Sequence, residues 1–288
     1  MANEKFNIYQ AITDRIISQL ENGDIPWNKP WIGGCNNCAF NRISKKPYSF
    51  LNQMLLKHDG EYATYKQWSD IGGTVRKGEK SEMVVFWKVI EKEETNSKGE
   101  KIEVAIPYLR YINVFHISQV DGVEPLNNDD KITFDHEPIE EAEKVKRDYM
   151  DREHLKIIET NSDRAFYSPT NDFIQIPCKE QYEYINEFYS TLFHEMIHST
   201  GHQSRLGRFE EASKNAAFGS SEYSKEELIA EIGGVAVMNL IGIETPSTFK
   251  NSVAYIQNWL KVLKNDNKFI VSASSKAEKA VKYIFGNK

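Results

Sequence analysis

The stretch Tyr182 to Gly201, YEYINEFYSTLFHEMIHSTG, decides how the second half of this chain folds. Phe188, Leu192, Met196 and Ile197 recur near one face, so a helix is predicted over about 180–200 with Gly201 as its stop. Inside it, His194-Glu195-Met196-Ile197-His198 sets two imidazoles four residues apart, about 5–6 Å from each other at Cβ. Both can then reach one ion at about 2.0–2.1 Å. Glu195, beside the first histidine, stands where a carboxylate can take a proton from water that the ion has acidified. The bland alternative is a chance pentapeptide on a helix surface. The apolar pattern around the motif favours the metal, with one zinc ion in a catalytic-type site as the expected cofactor.

Such a site needs a third protein ligand and an open position. His202 is rejected: on a continued helix it would lie about 12 Å along the axis from His194. The metzincin spacing is also excluded, because Ser204 occupies the place its third histidine would take. The next helical stretch, Ser224 to Ile232, carries Glu227 and Glu231 four apart on one face, with Glu226 displaced by about 100°. Glu227 is assigned as third ligand, with Glu231 the main alternative for that role, and Glu231 otherwise as the carboxylate that orients a ligand histidine. Ser224 and Glu227 also have the spacing of a capping box, which alone would explain a glutamate there.

Working outward, residues 5–21 read as an amphipathic helix, and 26–47 as an irregular stretch rich in Pro, Trp and Gly. Short helices are expected at 49–57 and 64–71. Strands are expected from Met83 to Ile90 and from Val104 to Ile117, with the charged segment Glu93 to Lys101 as the hairpin loop. No helix separates those strands to suggest a parallel sheet. Residues 121–136 concentrate Gly, Pro, Asn and Asp and read as a linker. A charged helix near 137–152 follows, then a strand pair, Leu155–Ile158 and Ala165–Ile176, around Asn161-Ser162-Asp163. Three or four helices finish the chain. The expected fold class is α+β: an N-terminal α+β domain (1–122), a linker (123–136) and a mainly helical C-terminal domain with a short sheet (137–288).

The 288 residues carry 27% charged and 40% apolar side chains, which is globular rather than disordered. No apolar run approaches the eighteen or so residues that span a bilayer, and Met1 to Lys5 lacks a secretory pattern. Three cysteines exclude a disulfide framework, so the cytoplasm is the expected compartment and no membrane partner is expected. Cys35-x-x-Cys38 has the spacing of half a zinc knuckle, which His58 and His116 could complete in principle, but with Cys178 beyond the linker it reads as a pair of loop thiols. The net charge of −6 argues against a wholly basic nucleic-acid binder. The charge is uneven, however. Residues 1–122 hold 16 Lys+Arg against 15 Asp+Glu, leaving 20 against 27 for the remainder.

In that first half Trp27, Trp31, Tyr48, Trp68, Trp87, Tyr108 and Tyr111 interleave with Arg42, Lys45, Lys46, Arg76, Lys77 and Lys80. Bases stack on aromatic faces while cations follow the phosphates. A single tryptophan is more often core. Trp27 and Trp31, beside prolines in a segment without periodicity, are the better candidates for exposure. Arg205 and Arg208 could grip a phosphate or carboxylate, or pair with the acidic helices. The segment from Phe166-Tyr167-Ser168 to Ile174-Gln175-Ile176 could accept an extended peptide by strand addition.

These residues together resemble the ArdC-type antirestriction proteins of mobile elements over nearly the whole chain. The likeness rests on His194-Glu195-x-x-His198-x-x-Gly201-His202, Arg205-Leu206-x-Arg208 and Tyr223-x-x-Glu226-Glu227-Leu228-x-Ala230-Glu231. Further upstream it rests on Pro26-Trp27-x-x-Pro30-Trp31, Tyr48-x-x-x-Asn52, Trp68 and Gly72 to Lys80. Ile32 to Cys38 departs from the family's usual stretch. The resemblance implies an N-terminal domain that binds single-stranded DNA, a C-terminal zincin-like metallopeptidase domain and protection of incoming DNA from restriction. The DNA contacts it suggests are Trp27, Trp31, Arg42, Lys46, Tyr48, Trp68, Arg76, Lys77 and Lys80. Expected partners are single-stranded DNA and a protein substrate near it. Two other readings share the sequence: a non-catalytic DNA-masking protein with a structural metal, and a DNA–protein crosslink protease.

Overall fold

Helix α1, Ile8–Glu21, buries Ile12, Thr13, Ile16, Ile17 and Leu20, the face its spacing predicts, and Asn7 caps it by accepting from the Gln10 N–H. The computed structural model describes residues 7–22, 25–28, 38–95, 101–126, 138–182, 184–209, 221–243 and 252–287. Trp31 and Cys35 fall outside them, as does the linker beyond residue 126.

Strands β1 (Ala39–Asn41), β2 (Gly60–Ala63), β4 (Glu82–Thr95) and β5 (Lys101–His116) form a sheet in the order β1-β2-β5-β4. β4 and β5 pair from Glu82↔Val114 to Thr95↔Lys101, so both strands run further into the charged segment than the sequence suggested. Helix α2, Phe50–Leu55, lies between β1 and β2, and that pair is parallel. A parallel crossover is therefore present where the sequence pattern offered none. Consecutive amides of α2 close the sheet: Asn52 bonds the main chain of Val85 on edge strand β4, and Gln53 bonds that of Ala39 on edge strand β1. Helix α3, Tyr65–Asp70, starts at a Thr64–Gln67 capping box. β3 (Thr74–Val75) pairs with β6 (Val120–Asp121).

In the second half, α4 (Pro138–Glu153) leads into β7 (Lys156–Thr160), β8 (Phe166–Ser168) and β9 (Phe173–Pro177). The sheet order is β7-β9-β8, with β7 parallel to β9 and β8 antiparallel to it. The predicted single strand Ala165–Ile176 is thus a hairpin. Its turn contains Pro169 and Asn171, and Asp172 adopts a left-handed conformation that asparagine and aspartate tolerate. Then come α5 (Ile185–Ser199), α6 (Ser221–Leu240), α7 (Ser252–Asn265) and α8 (Phe269–Ile284).

One apolar core runs from Ile12 and Trp27 through α5 and α6 to Ile284. α1 packs on α7, α2 on α8, and the turn Pro26–Asn28 on α6. Thr13 donates to the Asn267 carbonyl across the same seam. The two halves of the chain share a core.

Candidate metal centre

α5 presents His194 and His198 on one face, and α6 crosses it closely enough for its acidic first turns to meet them. Two glycines allow that approach. A Cβ at Gly233 would stand 2.7 Å from Ile197 Cδ1, and one at Gly234 would stand 3.3 Å from the His194 backbone nitrogen. Glycine inside a helix is unfavourable by about 1 kcal/mol relative to alanine, so its presence at both positions marks a packing need.

The crossing brings three donor groups together. His194 Nε2 lies 3.1 Å from His198 Nε2, and the Glu227 carboxylate is 3.5 Å from the first through Oε2 and 3.4 Å from the second through Oε1. Four-coordinate bonds of 2.0–2.1 Å place donors about 3.3 Å apart, so the set fits a small divalent ion. Among the described residues this is the one group of three or more His, Cys, Asp or Glu with metal-holding geometry. Glu195 is buried beside it.

The charges of the three groups are strongly coupled. Burial disfavours an imidazolium at His198, but Glu226 and Glu227 outweigh it and push its pKa up to about 10. His194 is raised in the same way, chiefly by Glu227. Burial alone would raise Glu227, yet the two histidines hold it well below the usual carboxylate range. An ion bound by these three groups would compete with protons for the histidine nitrogens. Glu231 is raised by burial and feels the charge of His194 and Glu227. Among the described residues it forms no hydrogen bond to either histidine. Glu226 instead approaches His198, with Oε1 3.6 Å from Nδ1. Its offset of about 100° along α6 does not keep Glu226 away, because His198 stands between the two glutamates and is reached from both sides.

The chain leaving α5 is tied down by buried arginines. Arg205 holds Asp172 through two 2.8 Å bonds and also meets the Ser199 carbonyl and Glu153. Arg208 holds Glu226, the Thr200 hydroxyl and the Ile197 carbonyl. Neither guanidinium is offered to a ligand. Gly201 does more than stop the helix, since a Cβ there would stand 2.8 Å from the Phe209 ring.

The expected DNA contacts are scattered. Trp27 is 0% exposed and meets Trp259 edge-on at 5.2 Å, which corrects the expectation of exposure: its partner lies 232 positions away and leaves no local pattern. Trp68 is also fully buried, donating to the Phe115 carbonyl, and Tyr48 is buried against Tyr62. None of these three rings has a free face for a base. Arg42 is paired with Glu61, and Arg76 with Glu79 and Asp121. Lys46, Lys77 and Lys80 are exposed, without ion pairs among the described residues. Among the described residues of this half, the exposed large rings are Tyr65 (60%), Phe86 (48%) and Tyr111 (41%). No helix among the described residues is long and apolar enough to cross a membrane.

Comparison with known proteins meets this geometry in both halves. A family model for the N-terminal domain of anti-restriction factor ArdC matches residues 6–115, and one for a zincin-like metallopeptidase matches residues 145–276. Solved structures of the antirestriction ArdC protein from the R388 plasmid, one metal-free and one Mn(II)-bound, are 32% identical with TM-scores of 0.74. Each covers 98% of this chain, and the match takes in 100% and 98% of theirs. Two Escherichia coli proteins named DNA primase TraC are 32% identical over 96% and 99% of this chain. The chain spans only 20% and 27% of the length of those two relatives.

Proposed function

The chain belongs to the ArdC antirestriction family, and from that premise we propose that it is an antirestriction protein combining single-stranded-DNA binding with a zinc-dependent peptidase site. The observation that carries the enzymatic half is the convergence of His194, His198 and Glu227 at tetrahedral spacing with Glu195 buried alongside. A divalent ion held by those three residues would supply Lewis acidity and acidify water. Glu195 would accept the proton released at neutral pH and hand it to the departing amine. β8 is an edge strand packed near α5, with its outer side unpaired among the described residues. It would hold an extended polypeptide by strand addition.

For the DNA half, support comes from Lys46, Lys77 and Lys80 and from the exposed rings Tyr65, Phe86 and Tyr111, which take the stacking role that the buried tryptophans cannot. The cytoplasm, where incoming DNA meets restriction enzymes, is the compartment this role requires. Glu195→Gln is the deciding variant. It should keep metal and DNA binding while abolishing proteolysis, and antirestriction should fall with it. Full antirestriction by Glu195→Gln would assign protection to DNA masking, with the metal structural.

A further inference from the structure

Arg208 is a buried charge and Glu226 a half-buried one beside the ligand helix, and neither takes part in the peptidase chemistry proposed for His194, Glu195, His198 and Glu227. Arg208 Nη2 bonds Glu226 Oε1 at 2.6 Å and the Ile197 carbonyl at 2.8 Å, Nη1 bonds the Thr200 hydroxyl at 2.7 Å, and Nε meets the Glu226 carboxylate at 3.2 Å. One guanidinium therefore joins the last turn of α5 to the first turns of α6. Its planar fork makes that joint directional, which a lysine could not do.

The same Glu226 oxygen faces His198 Nδ1 at 3.6 Å. His198 turns its other nitrogen, Nε2, to His194 and Glu227. A histidine that binds a cation through Nε2 keeps its proton on Nδ1, and an anionic acceptor there fixes both tautomer and ring orientation. We propose that Arg208 and Glu226 form a positioning pair for the metal centre: Arg208 holds Glu226 in place, and Glu226 holds the His198 ring with Nε2 turned to the ion. This rests on the metal reading of His194, His198 and Glu227. It gives His198 a carboxylate of its own in Glu226, whereas Glu231 meets neither histidine, so Glu231→Gln should keep wild-type zinc affinity to within a few-fold.

The test titrates zinc ions into the full-length wild type, Glu226→Gln, Glu231→Gln and Arg208→Lys against a competing chelator. Melting of the metal-free proteins and the imidazole ¹⁵N spectrum are recorded alongside. Glu226→Gln should lose about 10–100-fold in zinc affinity. Its metal-free melting temperature should fall too, because Arg208 loses its ion-pair partner, so the zinc-bound state carries the distinction. There the Nδ1–H of His198 should lose its carboxylate acceptor and shift in the ¹⁵N spectrum, while that of His194 stays in place. Arg208→Lys should fall between the two. Zinc affinity of Glu226→Gln within about twofold of wild type would overturn the proposal. So would an affinity loss that only tracks the lower metal-free melting temperature, with the Nδ1–H resonance of zinc-bound His198 unmoved. A wild type that takes up no zinc would overturn the metal reading itself, and this pair with it.

Discussion

At the scale of single residues, the metal donors and the arginine ties answer to different probes. Glu227 touches both histidines, so Glu227→Ala should abolish zinc uptake, as should His194→Ala combined with His198→Ala. Metal analysis of the purified variants checks this, and full occupancy in the double histidine variant would remove the site. Asp172 responds to pH instead. Burial would raise its carboxyl, but the bonds from Arg205 and Tyr167 outweigh that and lower it. Its folded pKa is thus below the unfolded value, so its contribution is complete above about pH 4 and fades as pH falls through the folded value. Asp172→Asn should melt earlier at pH 7, by the equivalent of about 1.5–3 kcal/mol because Glu153 still meets Arg205. The gap to wild type should narrow at pH 3. A gap independent of pH would mean that the charge of Asp172 does not matter.

At the scale of elements, the α5–α6 crossing sets the site, and Gly233 is where it can be tested. Gly233→Ala places a methyl against the stiff, β-branched Ile197 side chain. Overpacking of this kind costs about 1–3 kcal/mol, offset by about 1 kcal/mol of helix propensity. Denaturant melts should show a net loss of up to about 2 kcal/mol, with weaker zinc binding as α6 is pushed outward. Equal stability and affinity would show that the helices have room to spare. The crossing also marks what could be read from the sequence. His194, His198 and Glu227 meet as spacing within single helices suggests, since four residues is a fixed geometric relation, whereas Glu231, placed by the same rule, touches neither histidine. Glu226 and Arg208 were quoted as motif residues, yet their meeting depends on how two helices cross, which spacing along one chain does not encode. Gly233-Gly234 was a visible cue to that crossing and went unused. Ser168-Pro169 and Asn171-Asp172 likewise marked a turn inside what was read as one strand. Trp27 gave no cue, because its burial is made by Trp259.

At the scale of the molecule, the shared core changes what the N-terminal half can do alone. A fragment ending near Gly122 keeps the basic and aromatic surface but loses α7 and α8, and with them the cover over α1, α2 and Trp27. We expect it to lack a cooperative melt and to bind single-stranded DNA poorly. The full chain should bind with an affinity that falls as salt rises, because bound phosphates release counterions. A fragment that melts cooperatively and matches the full chain in a salt titration would show two independent domains instead. The same seam has a bearing on synthesis. Some 130 residues separate Gly122 from Ser252, so at about 5–20 residues per second the first half waits on the order of ten seconds outside the ribosome before its last partners emerge. During that interval α2 lacks α8 behind it, so Asn52 and Gln53 seat on the two margins of the sheet only once the last helix docks, and until then both margins stay open to a neighbouring chain.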